Sequence, residues 1–149
     1  SGFIGTRSRL VRDVMQKKER LPLVSVHTAL KEVLVEMSQK RLGCVLVMDS
    51  EMRCVGIFTT GDLNRCLVKN EPEILSMQIK DLMTKQFSFV DANERVDTAL
   101  NLMQNPDKRI QMLPVLDDGL LVGLIHLHDV VEDAFQKNAL EEAFAHKEN

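Results

Sequence analysis

The chain has 149 residues, of which 44% are hydrophobic and 28% charged, a composition typical of one ordinary globular domain or two very small ones. Its net charge of −3, without a long basic run, argues against a nucleic-acid partner. The apolar runs are far shorter than the roughly 20 residues that a membrane helix needs, and the N-terminus has no signal-peptide pattern.

Residues 1–10 are predicted to be a linker or a tag remnant. The elements that follow in chain order are an extended segment over Leu21–Val26, an amphipathic helix through Leu30, Val33, Leu34 and Met37 with Thr28 or a neighbour as its cap, a strand over Cys44–Met48, a polar turn at 49–51, a strand over Val55–Phe58, and a helix that starts near Asp62.

The same order returns later in the chain. The predicted elements are an extended segment over Phe87–Val90, a helix through Val96, Ala99, Leu100 and Met103 capped by Asn93, a strand over Met112–Leu116, a hairpin turn at Asp117-Asp118-Gly119, a strand over Leu121–Ile125, and a helix that starts near Asp129.

The two halves also share sequence motifs, with an offset of 66 to 68 residues. VRDVM at 11–15 returns as IKDLM at 79–83, and VGIFTTGDL at 55–63 returns as VGLIHLHDV at 122–130. A unit of about seventy residues has therefore been duplicated. We predict a first repeat over 11–70, a connector over 71–78 and a second repeat over 79–135.

Each unit has the order β-α-β-β-α and is too small to bury both faces of a three-stranded sheet by itself. Two copies packed face to face achieve that burial, so the sequence predicts an α/β (α+β) fold arranged as a pseudo-twofold pair with one cleft per repeat. The tail, 136–149, has apolar residues at helical spacing. It is predicted to extend the last helix and to pack on the pair or on a second subunit, which makes a homodimer the expected assembly.

The cysteine count is odd, and no two of Cys44, Cys54 and Cys66 have the spacing of a metal site. This usage predicts reduced, mostly buried thiols in a cytoplasmic protein.

The stretch Thr59 to Asp62 ends a strand and begins a helix. Thr59 and Asp62 have the spacing of a capping box, in which both side chains bind free helix amides. The same amides, with Thr60 beside them and Gly61 allowing close approach, suit a phosphorylated ligand whose ribose would contact Asp62. Both interpretations remain open from the residues alone.

The corresponding stretch of the second repeat contains His126, His128 and Asp129. A histidine is a poor cap, so capping does not account for His126. A metal site, phosphate or sugar contact, and a surface histidine are the alternatives, with no third metal ligand evident nearby. If a protonated histidine attracts an anion, binding at the second cleft weakens from about pH 6 to pH 8.

The sequence lacks the usual signatures of catalysis, among them a Gly-rich phosphate loop, a nucleophile elbow and a supported Cys–His pair. We therefore predict no catalytic residue, no metal and no required cofactor in this chain.

The duplicated unit, with its D-V-M and D-L-M openings and its G-h-h-T-x-x-D ending, resembles a tandem cystathionine-β-synthase (CBS) domain pair from Val11 to about Phe135. The resemblance implies that Thr59 and Asp62 contact the phosphate and ribose of an adenine nucleotide. At the second site Asp129 is retained, while His126 replaces the expected threonine.

A narrower resemblance links LIHLHDVVEDAF and GIFTTGDLNRCL to bacterial arabinose 5-phosphate isomerases, with Thr60 and Asn64 as departures. It implies an upstream sugar-isomerase (SIS) domain that performs the chemistry, in lipopolysaccharide precursor synthesis. The expected role of this chain is then regulatory, with a nucleotide or nucleotide-sugar as the sensed ligand. The alternatives are a structural module with empty clefts and a CBS pair of an unrelated protein.

Overall fold

The structure is a computed structural model that describes residues 9–148. Its helices are α1 (Val11–Val14), α2 (Leu30–Lys40), α3 (Thr60–Lys69), α4 (Val96–Met103) and α5 (Leu127–Glu148). Its strands are β1 (Leu23–Ser25), β2 (Cys44–Met48), β3 (Cys54–Thr59), β4 (Val90–Asp91), β5 (Met112–Asp117) and β6 (Leu120–His126), and 3₁₀ turns cover Lys18–Arg20, Ile74–Ser76 and Ile79–Asp81.

Two three-stranded sheets carry the repeats, in the orders β1-β2-β3 and β4-β5-β6. In each sheet the first two strands are parallel and the last two antiparallel. The predicted β-α-β-β-α unit and the mixed fold class are therefore confirmed. Within the described residues, no helix has both the length and the apolar character needed to cross a membrane.

The apolar periodicity located α2 and α4 correctly, but the predicted caps were wrong. The N-cap positions are Ala29 and Arg95, and neither makes a side-chain cap. Instead the Leu30 amide donates to the Met77 carbonyl at 2.9 Å, and the Val96 amide donates to the Arg9 carbonyl at 2.9 Å. Each helix start is thus satisfied by backbone from a distant segment, which sequence spacing does not reveal.

The second predicted hairpin is confirmed. Asp118 and Gly119 both have positive φ, 53° and 81°, as a two-residue turn of type I′ requires. The predicted extended segment Phe87–Val90 is displaced, because only Val90 and Asp91 pair with β5. Residues 87–89 instead border a cleft.

The repeats exchange their opening segments. Val11 is fully buried in the cluster of the second repeat, with Val90, Val115 and Ile125, whereas Ile79 is buried in the cluster of the first, with Leu30 and others. Backbone bridges extend both sheets in the same crossed way, between Gln16 and Leu124 and between Thr84 and Ile57. The duplicated segments VRDVM and IKDLM therefore each complete the other repeat.

A third apolar cluster lies between the sheets. It joins Leu46 and Ile57 of the first repeat to Met112 and Leu124 of the second. The two sheets thus bury their facing sides against each other, as their small size predicts.

The last helix runs unbroken from Leu127 to Glu148, so the prediction that the tail extends it is confirmed. Three apolar side chains toward its end do not pack on the pair, because Phe135, Leu140 and Phe144 are 73%, 62% and 66% exposed. Packing on a second subunit stays a prediction.

Candidate functional site

A cleft of about 630 Å³ opens where β3 meets α3, between the two repeats. The predicted Thr59, Thr60, Gly61 and Asp62 form one wall. The rest of its lining comes from Gly43, Ile57, Arg65, Thr84, residues 86–88, residues 108–112 and His126.

Thr59 and Asp62 form the capping box. The Asp62 amide donates to Thr59 Oγ1 at 3.2 Å, and the Thr59 amide donates to Asp62 Oδ2 at 2.9 Å. Asp62 Oδ1 accepts from the Arg65 guanidinium and, at 3.4 Å, from the Thr84 hydroxyl. The capping interpretation is therefore confirmed, and a ribose hydroxyl that approached Asp62 would compete with Arg65, whose side chain is largely exposed.

Thr60 and Gly61 occupy the first turn of α3. The Thr60 hydroxyl donates to the Gly43 carbonyl at 3.3 Å, which ties this turn to the residue before β2. A Cβ on Gly61 would come no closer than 3.6 Å to any protein atom. A Cβ there would make ordinary van der Waals contact with the side chains of Thr59 and Arg65, so protein packing does not require glycine at this position.

Three cationic side chains of the cleft were not predicted from the sequence: Arg65, Lys108 and Arg109. In the part of the chain that the structure describes, the side chains of Lys108 and Arg109 make no hydrogen bond or ion pair. The duplication contains a sequence signal for two of these cations, because Lys40-Arg41 precedes β2 in the same way as Lys108-Arg109 precedes β5.

Part of the lining is apolar, and it consists of Ile57, Phe87, Ile110 and Met112. Phe87 and Ile110 lie outside regular helices and strands, where periodicity gives no warning of a site. The cleft thus combines an apolar wall with cations, as nucleotide pockets require.

His126 lines this same cleft. The separate cleft of the second repeat, to which the sequence assigned it, stays a prediction. Its Nδ1 accepts the His128 amide at 3.0 Å, and its own amide donates to Asp129 Oδ2 at 3.1 Å. The expectation that histidine would not cap was therefore wrong, because neutral imidazole offers one ring nitrogen as an acceptor. Burial lowers the pKa of His126, against an opposing effect of Asp129.

His128 and Asp129 do not reach the cleft. His128 is exposed and its Nε2 lies 3.2 Å from Glu132 Oε2, while Asp129 Oδ1 accepts from Gln16 Nε2 at 2.9 Å. Residues 9–148, as far as they are described, contain no group of three or more His, Cys, Asp and Glu side chains arranged to hold a metal.

Lys40 is the equivalent of Lys108 in the first repeat, and unlike Lys108 its ammonium group has protein partners. Lys40 Nζ donates to the carbonyls of Glu19 and Leu21, at 2.7 and 3.1 Å, and lies 3.3 Å from Glu36. The positive charge that faces the open cleft in one repeat is therefore neutralised in the other. The two halves have diverged in the site and not only in the motif.

The cysteines are free thiols. Burial raises the pKa of Cys44 to about 12 and also raises the pKa of Cys54. These two thiols stay protonated near neutral pH, which makes them poor nucleophiles and metal ligands.

Comparison with known proteins gives the same architecture. The family model described as "CBS domain" matches residues 11–69 and 79–134. The arabinose 5-phosphate isomerases KdsD of Yersinia pestis and Pseudomonas aeruginosa are 34% and 37% identical over 87% of this chain. The chain spans only 39% and 40% of their lengths.

A solved structure, CBSX2 in complex with AMP, superposes with a TM-score of 0.73 at 26% identity, over 87% of this chain and 98% of that one. The two stretches that the family model matches correspond to the two repeats. The chain belongs to the CBS domain family, as a tandem pair.

Proposed function

We propose that this chain is a cytoplasmic regulatory module that binds a nucleotide or nucleotide-sugar in the cleft at Thr59–Asp62. The observation that carries the proposal is the cleft itself, which is lined together by the unpaired side chains of Lys108 and Arg109, by the N-terminus of α3 and by apolar residues. A phosphate suits the cations and the helix start, and a base suits Phe87 and Ile110. The relative CBSX2, whose structure holds AMP, supports an adenine nucleotide as the first ligand to test.

The similarity to KdsD supports a sugar-phosphate isomerase as the parent protein. In that arrangement an upstream SIS domain performs the chemistry, in lipopolysaccharide precursor synthesis, and this pair transmits the ligand signal. Among the described residues, 9–16 are the segment closest in sequence to such an upstream domain. They contact the second repeat through Arg9–Asp133, at 3.0 Å, and Gln16–Asp129, at 2.9 Å.

Calorimetric titration with AMP tests the ligand proposal. We expect Lys108→Ala to weaken binding about tenfold or more, because a hydrogen bond to a charged group contributes roughly 1.5–3 kcal/mol. Lys69→Ala is the matched control, because Lys69 is exposed at the end of α3 and does not line the cleft. Equal loss in both variants, or no binding of AMP, nucleotides or nucleotide-sugars by the unaltered chain, contradicts the proposal.

A second candidate function is purely structural, with the pair serving as a dimerisation module. The exposed apolar side chains of α5 favour it. Thermal shift with a nucleotide panel separates the two, because a ligand at one hundred times its Kd stabilises the folded state by about 2.7 kcal/mol. A structural module shows no such shift.

A further inference from the structure

The hydrogen bond at the start of α5 fixes which ring nitrogen of His126 carries the proton. The His128 amide donates to His126 Nδ1 at 3.0 Å, and a backbone amide can act only as the donor. Nδ1 is therefore unprotonated, so the proton of the neutral imidazole lies on Nε2. Burial lowers the pKa of His126, which favours this neutral ring near neutral pH. His126 thus has an N–H donor at Nε2 and no charge.

The Nε2–H group of His126 has no protein acceptor and is accessible. Among the residues that the structure describes, this atom makes no hydrogen bond or ion pair. No side-chain nitrogen or oxygen in that part of the chain is both buried and without a partner, so Nε2 lies at a surface. Because His126 lines the cleft, the cleft is the place where a ligand can accept this hydrogen bond.

His126 also lies beside the cationic part of the cleft lining. It is the β6 partner of Met112, which is the last residue of the lining segment 108–112. Lys108 and Arg109 begin that segment, and their side chains make no hydrogen bond or ion pair within the described chain. Cations without a protein counter-ion suit an anionic group of a ligand. The Nε2–H donor and these two charges therefore belong to one stretch of the lining.

We infer that His126 donates a hydrogen bond from Nε2 to a phosphate oxygen of the nucleotide in the cleft. This inference rests on the proposed function, since the phosphate belongs to the ligand of the same cleft. It assigns a ligand contact to the second repeat, whereas the Thr59–Asp62 motif belongs to the first. The helix start uses one ring nitrogen and the ligand uses the other.

Substitution separates the two ring nitrogens. His126→Asn keeps an acceptor for the His128 amide, because asparagine is among the preferred helix N-caps, but its shorter side chain does not reach the position of Nε2. His126→Ala removes both groups. The midpoint of urea unfolding should therefore be nearly the same for His126→Asn as for the unaltered chain, and lower for His126→Ala.

Calorimetric titration with AMP at about pH 8, where the imidazole is neutral, tests the ligand contact. AMP should bind about tenfold more weakly to both variants, because each has lost a hydrogen bond to a charged acceptor. Adenosine has no phosphate, so it should bind His126→Asn and the unaltered chain equally when its affinity is measured by displacement of AMP.

His128→Asn is the matched control, because the side chain of His128 is exposed outside the cleft and only its backbone amide takes part in the cap. AMP should bind this variant as tightly as the unaltered chain. If His126→Asn keeps full affinity for AMP while Lys108→Ala loses it, the Nε2 contact is wrong and the proposed nucleotide cleft stands. If His126→Asn weakens adenosine as much as AMP, the donor does not serve the phosphate, and the inference is overturned. If no nucleotide binds the unaltered chain, both fail.

Discussion

Thr59 and His126 occupy equivalent positions in the two repeats, and each caps the following helix with a different side-chain acceptor. Each ends a strand and accepts an amide of the following helix, Thr59 through its hydroxyl and His126 through Nδ1. At each helix start an aspartate completes the cap: Asp62 accepts the amide of Thr59, and Asp129 accepts the amide of His126. The replacement of threonine by histidine therefore keeps the cap but makes it titratable.

The histidine cap predicts a pH-dependent stability. Burial lowers the pKa of His126 from its ordinary value of 6.5, so the unfolded chain binds the proton more readily than the folded chain. The stability from neutral His126 is present above pH 6.5 and is lost as pH falls through the lower folded pKa. His126→Thr should remain folded with a smaller loss between pH 7.5 and 5.5, measured by urea unfolding. An equal loss in both proteins would assign the effect elsewhere.

The Asp62 cap predicts a modest cost in stability. Asp62→Ala should lower the free energy of unfolding by about 1 kcal/mol, the usual contribution of a helix cap. Asp62→Asn is the control, because its amide oxygen still accepts the Thr59 amide. Urea unfolding that shows the same loss in both variants would mean that charge, and not the capping hydrogen bond, is responsible.

At the level of elements, two methionines explain why Val-Gly recurs in both repeats. A Cβ on Gly56 would lie 2.4 Å from Met83 Sδ, and a Cβ on Gly123 would lie 2.2 Å from Met15 Sδ. Each methionine belongs to an exchanged opening segment. The repeated D-x-M and Val-Gly motifs are thus two sides of one contact.

This contact predicts unequal costs for two matched substitutions. Gly56→Ala and Gly123→Ala should each destabilise by roughly 1–3 kcal/mol, the usual cost of overpacking. Gly123→Ala should cost more, because its Cβ would also lie 2.9 Å from the Gln16 carbonyl, which is backbone and cannot turn away. Urea unfolding gives both values. The loss in the double variant Gly56→Ala with Met83→Ala should be smaller than the sum of the two single losses, and additive losses would contradict the steric cause.

The exchanged segments also predict which repeat loses stability when one of their buried side chains is truncated. Ile79 begins the second repeat in sequence but is fully buried with Leu30 and Val45 of the first. Ile79→Ala should cost about 2–5 kcal/mol. Hydrogen exchange should rise first in α2 and β2. Faster exchange in β5 and β6 instead would show that the segment stabilises its own repeat.

At the scale of the whole molecule, α5 has apolar side chains that no other described part of the chain covers. Val131 and Phe135 lie one helical turn apart, as do Leu140 and Phe144, and all four are exposed. Exposed apolar side chains grouped in this way are typical of association surfaces.

We therefore expect the chain to self-associate at micromolar concentrations. Phe135→Asp should shift the equilibrium toward monomer, because it places a charge where apolar contact is needed. Sedimentation velocity measures this, with Leu120→Asp as an exposed control on the hairpin. A monomeric unaltered chain at high micromolar concentration would contradict the prediction.

Periodicity and turn chemistry determined much of the fold from the sequence alone. Helical spacing placed α2 and α4, and Asp118-Gly119 placed the tight hairpin, because these signals act between residues close in the chain. The motif repeat likewise indicated the pair and the family. The capping box at Thr59 and Asp62 was one of the two interpretations that the sequence left open.

Tertiary structure alone decided how the halves combine. No local signal shows that Val11 packs in the second repeat, that Met77 and Arg9 carbonyls begin α2 and α4, or that His126 shares a cleft with Thr59. These outcomes depend on which apolar surfaces and free backbone groups meet after the chain has folded back, across separations of tens of residues. The sequence by itself therefore determined the repeated unit, and packing decided where its binding cleft lies.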